Sequence, residues 1–168
     1  GELMNTIPNL FDVVKRYALT KGLIGEEAPL MSYFTHTDDE DWLLDEEYNG
    51  CHFWTNFEIA RVDVWNNDDY GEFFEFLDRW GGFFFERWGD APIHSLWLGL
   101  KYRYDQVHFF HDIGYSHDKL YHCFEKGPLY DKCLCPKKEL SLANAASPEC
   151  ITRWMGYIEG EWKTTLNN

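Results

Sequence analysis

The chain has 168 residues, of which 45% are hydrophobic and 18% aromatic, and a formal net charge of −14. That length suits one ordinary domain with a real core, and the aromatic content excludes a disordered chain, because each buried Phe, Tyr or Trp removes a large apolar area from water. The charge argues against a binder of nucleic acid or of an anionic membrane surface, both of which need clustered Lys and Arg. A phosphate ligand would require a few aimed cations or a metal ion.

Residues 1–47 read as a loop, a helix and a linker. Thr6 or Asn9 can cap the helix, Pro8 suits its first turn, Leu10, Val14, Tyr17 and Ala18 recur at helical spacing, and Gly22 ends it. The acidic run HTDDEDWLLDEE that follows is expected as a solvated loop, since adjacent acids do not converge on a cation. Asn49-Gly50 marks a turn, and Cys51–Trp54 reads as a short aromatic strand. Glu58 lies in NFEIA between apolar residues, which predicts partial burial. Asn67 and Asp68 cap a second helix with Tyr70, Phe73, Phe74 and Leu77 on one face, stopped at Gly81-Gly82.

Phe83–Phe85 reads as a buried strand or core-facing turn. Asp90 is a natural N-cap for a third helix that carries Pro92, Ile93, Leu96, Trp97 and Leu100. Residues 106–110 look like a strand, with His111–His117 a loop leaving its end, and residues 149–158 predict a last short helix. The alternation of strand and helix predicts an α/β fold with a mixed sheet, in which ligand groups gather where loops leave the strands.

Five cysteines are present, and four of them, Cys123, Cys133, Cys135 and Cys150, fall in the irregular tail, where disulfides are the expected staples. The odd count leaves Cys51, among aromatics, as the expected buried free thiol. Cys133 and Cys135 with Cys123 and His122 lack zinc-site spacing.

The polar residues beside apolar segments have two readings each. Glu58 is a nucleophile or a stabiliser of positive charge at a sugar carbon, or else pairs with Arg87 or Arg61. Asp90 caps a helix, a position that is also suited to a site. His117 is a metal ligand, or a loop histidine bonded to Asp112 or Asp118. Arg87 neutralises phosphate, or pairs with Glu86 or Asp90. No Walker, GxGxxG, HExxH or GxSxG motif is present.

Three blocks, YNGCHFWTNFEIA, GGFFFERWGDAPIHS and DIGYSH, closely resemble the fungal α-1,2-mannosyltransferases of glycosyltransferase family 15 in order and spacing. The resemblance is strong over 48–118, the expected active-site core, and weaker over 1–47; the Cys-rich region 119–168 is divergent but compatible. It implies a GT-A-type nucleotide-sugar fold and a retaining enzyme that uses Mn²⁺ to transfer mannose from GDP-mannose to a mannose-terminated glycan acceptor. It also implies a Golgi type II membrane protein held by an anchor that this chain does not contain. By motif match Glu58 takes the position of the nucleophile, Asp90 that of the sugar-facing aspartate, and His117 that of the metal-ligating histidine. Trp54, Arg87 and Tyr115 stand beside them as substrate contacts.

The family's Glu-Pro-Asp metal motif and first strands do not occur in the 168 residues, so the chain is expected to be the C-terminal portion of a catalytic domain, with a partner carboxylate for Mn²⁺ upstream. Alone it is expected to bind GDP and Mn²⁺ poorly. The competing expectation is a non-catalytic carbohydrate-binding or scaffold descendant of the same family.

Overall fold

Helix α1, Leu10–Lys21, forms where the apolar spacing places it. In the computed structural model its buried stripe is Leu10, Phe11, Val13, Val14, Tyr17 and Ala18, and Gly22, at φ 69°, closes it with its N–H on the Ala18 and Leu19 carbonyls. The described residues are 2–36, 42–43, 47–110, 113–117, 120–122 and 149–156. Most of the acidic run and of the cysteine-rich tail lies outside them, as do His111, Asp112 and Asp118.

Two compact units divide the chain at residues 104 and 105. In the Glu2–Tyr104 unit, α1 packs on α2 (Asp68–Trp80) through aromatic contacts: Tyr17 meets Phe73 at 5.1 Å and Phe76 at 5.4 Å, both edge-on. The Asn67 side chain accepts from the Tyr70 N–H at 2.8 Å, the N-cap that the sequence predicts. Gly81, at φ 75°, ends α2, and α3 (Gly82–Phe85) follows as a single turn. Helix α4, Asp90–Lys101, buries Ile93, Leu96, Trp97 and Leu100 as predicted, and Phe73 stacks on Trp97 at 5.4 Å. A 3-10 turn over Met31–Phe34 lies against α4, with the Leu30 N–H on the Gly99 carbonyl at 3.2 Å. A Cβ on Gly99 would stand 2.6 Å from the Met31 sulfur, so only glycine permits this approach.

Two expected strands are not strands, and Phe83–Phe85 is neither the buried strand nor the core-facing turn expected. Cys51–Trp54 joins no strand: the Cys51 N–H is taken by the Asn49 side chain at 2.8 Å, and the Phe53 N–H by the buried Ser95 hydroxyl at 2.7 Å. Side chains thus satisfy the backbone that a neighbouring strand would otherwise satisfy. Phe83–Phe85 is helical, because Gly81 turns the chain back and its carbonyl receives the Phe84 and Phe85 N–H groups. Phe84 and Phe85 are 79% and 89% exposed, against the expectation of burial. Residues 107–110 follow a 3-10 turn over Tyr104–Gln106 and join no strand.

In the second unit, part of the expected loop 111–117 is instead β1 (Tyr115–His117), which pairs antiparallel with β2 (Leu120–His122) in the register Tyr115↔His122. Residues 149–156 form α5, close to the predicted 149–158 helix, with Trp154 buried. Among the described residues this hairpin is the whole of the sheet, so the expected mixed sheet is not found there. Cys51 is buried but is not a free thiol: it is disulfide-bonded, as is Cys150. An aromatic setting suits a half-cystine as well as a thiol, so composition could not separate the two. No helix among the described residues is long and apolar enough to cross a membrane.

Candidate active site

Helix α4 starts at Asp90, with Gly89 in extended backbone at the cap position, so Asp90 is the first helical residue and not the N-cap. Its side chain meets the distant segment after Trp54, where the Thr55 hydroxyl donates to Oδ2 at 2.7 Å. That bond, aided by the backbone N–H groups of Ala91 and Asp90 and by His94, holds the carboxyl below the usual carboxylate range against partial burial. Asp90 is therefore ionised and fixed at a helix start, where negative charge is favoured.

Glu58 approaches the same helix. Its residue is exposed overall, yet its side chain is only 27% exposed because the carboxylate folds in against α4. Oε2 lies 3.1 Å from Nδ1 of His94, one helical turn beyond Asp90. The imidazole stacks on Trp65 at 4.0 Å and 20° and meets the edge of Tyr70 at 6.1 Å. Burial, then the charges of Glu58 and Asp90, push the Tyr70 phenol up. Glu58 and Asp90 thus share His94 and Tyr70 as neighbours: two carboxylates beside one imidazole, walled by aromatic rings.

The alternative pairings for Glu58 do not form. Arg61 is held by Asp63, and Arg87 is exposed with no ion pair among the described residues. Nor does Arg87 pair with Glu86 or Asp90. Glu86 instead receives the Asn9 N–H at 3.2 Å, the Asn9 side-chain amide and the Trp88 indole N–H at 2.7 Å, which ties the start of α1 to the chain before α4. Arg87 contributes its backbone N–H to the Thr6 carbonyl at 2.9 Å. Trp54 is half-buried in the same unit. His52 is half-buried, and its Nδ1, shut off from solvent, lies 3.5 Å from Glu2, too far for a good hydrogen bond. Burial holds its pKa down, over the opposing pull of Glu2 and Asp90.

Tyr115 and His117 lie on β1 in the second unit, Tyr115 half-buried and His117 exposed. No group of three or more His, Cys, Asp or Glu side chains among the described residues is arranged to hold a metal ion. These residues do not by themselves make a divalent-cation site. Thr55, Trp65 and His94 were not singled out in the sequence, and Tyr70 only as part of a helix face. The one available signal was the i, i+4 spacing of Asp90 and His94 in DAPIHS, which puts both on one helix face.

Solved structures of fungal mannosyltransferases share this fold. Core-mannan synthase A (CmsA/Ktr4) from Aspergillus fumigatus, in its Mn/GDP form, matches with a TM-score of 0.71 and 34% identity, over 90% of this chain and 41% of that one. Ktr4p from S. cerevisiae, in complex with GDP, matches with a TM-score of 0.75 and 27% identity, over 93% of this chain and 41% of that one. Among curated proteins, the probable mannosyltransferase KTR7 of Saccharomyces cerevisiae is 46% identical over 72% of this chain, and glycolipid 2-alpha-mannosyltransferase 1 of Candida albicans is 42% identical over 99% of it. This chain spans 26% of the length of the first and 35% of the second. The chain belongs to the glycolipid 2-alpha-mannosyltransferase family, whose pattern matches residues 1–159.

Proposed function

We propose that this chain forms part of a retaining α-1,2-mannosyltransferase of GT-A type that moves mannose from GDP-mannose to a mannose-terminated glycan. The observation that carries the reading is the convergence of Glu58 and Asp90 on one aromatic-walled cluster at the start of α4. The family membership and the GDP-bound structural relatives support it.

The chemistry needs a carboxylate on the face of the sugar opposite the leaving group. Glu58 has one oxygen on His94 and, among the described residues, no hydrogen bond to the other. As the bond from the anomeric carbon to phosphate breaks, GDP leaves with the electron pair, and the free oxygen of Glu58 meets the positive charge on the ring. The carboxylate traps that charge covalently and is then displaced by the acceptor oxygen, or only stabilises it while the acceptor hydroxyl attacks. In both cases the attack comes from the side GDP vacates and the hydroxyl proton passes to the departing diphosphate. Either route retains the configuration. Asp90, ionised and oriented by Thr55, accepts a sugar hydroxyl. Trp54, Arg87 and Tyr115 contact substrate in this reading, and His117 is the ligand the chain contributes toward Mn²⁺. A Golgi lumenal, membrane-anchored setting is part of the same proposal, and disulfide-bonded Cys51 and Cys150 suit an oxidising lumen.

The test is transfer of mannose from GDP-mannose to a mannoside by the full-length protein, with Glu58→Gln as the comparison. The substitution is expected to lower turnover by roughly a hundredfold or more while the thermal midpoint is unchanged. A rate near that of the wild type would remove Glu58 from the chemistry.

A further inference from the structure

We infer that His94 is a positioning residue for Glu58: its Nδ1 holds one carboxylate oxygen, so that the other is presented to the sugar. The inference rests on the transferase reading above and adds to it a residue whose role that reading leaves open.

Glu58 cannot be held by its own segment. Residues 56–61 form neither helix nor strand, and Ile59 and Val62 around it are 70% and 75% exposed. A carboxylate on such a segment samples several rotamers, whereas reaction at a carbon needs an oxygen about 3–3.5 Å away along a fixed line. The required rigidity is found on α4. His94 sits between buried Ile93 and buried Ser95, on the helix that also presents Asp90. Its ring has little freedom to turn: one face lies on Trp65 at 4.0 Å, and Tyr70 meets it at 78°. The 3.1 Å contact from Nδ1 to Oε2 therefore transfers the fixity of a helix to a side chain whose backbone lacks it. With Glu58 ionised, the carboxylate only accepts, so Nδ1 carries the proton and donates. The competing role is packing alone, with the imidazole filling space against Trp65.

Leu and Asn at position 94 separate the two roles. They are close in size and shape, but only Asn can place an N–H donor near the site of Nδ1. In the full-length protein, His94→Leu is expected to lower kcat for mannose transfer by about ten- to a hundredfold, with KM for GDP-mannose within about threefold of the wild type. His94→Asn is expected to recover kcat to within about threefold. In a Glu58→Gln background, His94→Leu is expected to cost little more, because the group it positions is already disabled.

Wild-type kcat in His94→Leu, equal loss in the Leu and Asn variants, or a full additional loss in the Glu58→Gln background would each overturn the positioning role. If the Leu variant does not fold, the Asn variant decides alone, and a kcat below about a tenth of wild type refutes the proposal. Loss of activity in Glu58→Gln with full activity in both His94 variants defeats this inference and leaves the transferase reading standing. Wild-type activity in Glu58→Gln defeats both.

Discussion

At Asp90 a single hydroxyl, that of Thr55, does most to hold the carboxyl down. Thr55→Val is expected to raise the Asp90 pKa toward the ordinary value, measured by carbon-detected titration of the side-chain carboxyl; an unmoved midpoint would assign the depression to the helix start instead. His52 makes the opposite kind of statement. Burial keeps its folded pKa below the ordinary 6.5, so between those two values the unfolded chain binds the extra proton. The stability this residue contributes is complete above 6.5 and is lost as pH falls through the lowered folded value. A thermal midpoint that drops with acidification across that window, and drops less in His52→Asn, is the expected result. Glu58 and Asp90 were legible in the sequence because each is an acid beside apolar segments in a recognisable block. Their partners were not: His94 is 36 residues from Glu58, and Thr55 is 35 from Asp90, separations at which spacing says nothing.

Among the elements, the helices were the readable part. Capping and stopping are local, and Asn67 and Gly81 perform both around α2. Asn67→Ala is expected to cost about 1 kcal/mol in a denaturant titration, since the Tyr70 N–H loses its acceptor. A larger effect is expected at Gly82, where a Cβ would stand 2.1 Å from the buried Trp88 indole. Trp88 is also tied to Glu86, so it cannot simply swing away. Gly82→Ala should therefore destabilise by roughly 1–3 kcal/mol, and a neutral result would mean the turn of α3 yields more readily than its contacts indicate. The strands were misread for a physical reason. Aromatic and β-branched runs favour extended backbone, but a strand exists only where another backbone meets it. At Cys51–Trp54 the partners are Asn49 and Ser95 side chains, which no pattern in the run itself encodes.

For the molecule as a whole, composition indicated a core and an acidic surface, and both describe the Glu2–Tyr104 unit well. Its interior is built from aromatic contacts between α1, α2 and α4, and its carboxylates are spread over solvent and the site. Of the four tail cysteines expected to be bonded, Cys150 is; Cys123, Cys133 and Cys135 lie outside the described residues, and Cys51, expected as a free thiol, is bonded too. Reduction is accordingly expected to lower stability by about 2–4 kcal/mol, read as a shift in the denaturation midpoint with and without a phosphine reductant. An unchanged midpoint would show that the bond adds nothing to the folded state. The setting of Cys51 has a practical corollary. Its amide is held by Asn49, its carbonyl receives the Tyr48 hydroxyl, and two residues on Phe53 is pinned to Ser95, just ahead of the threonine that orients Asp90. Sulfur chemistry during biosynthesis therefore bears directly on whether the Cys51–Thr55 segment settles in register. Protein made in a reducing cytosol should be recoverable in quantity and still turn over poorly, whereas export through an oxidising secretory route should yield competent molecules from the same gene.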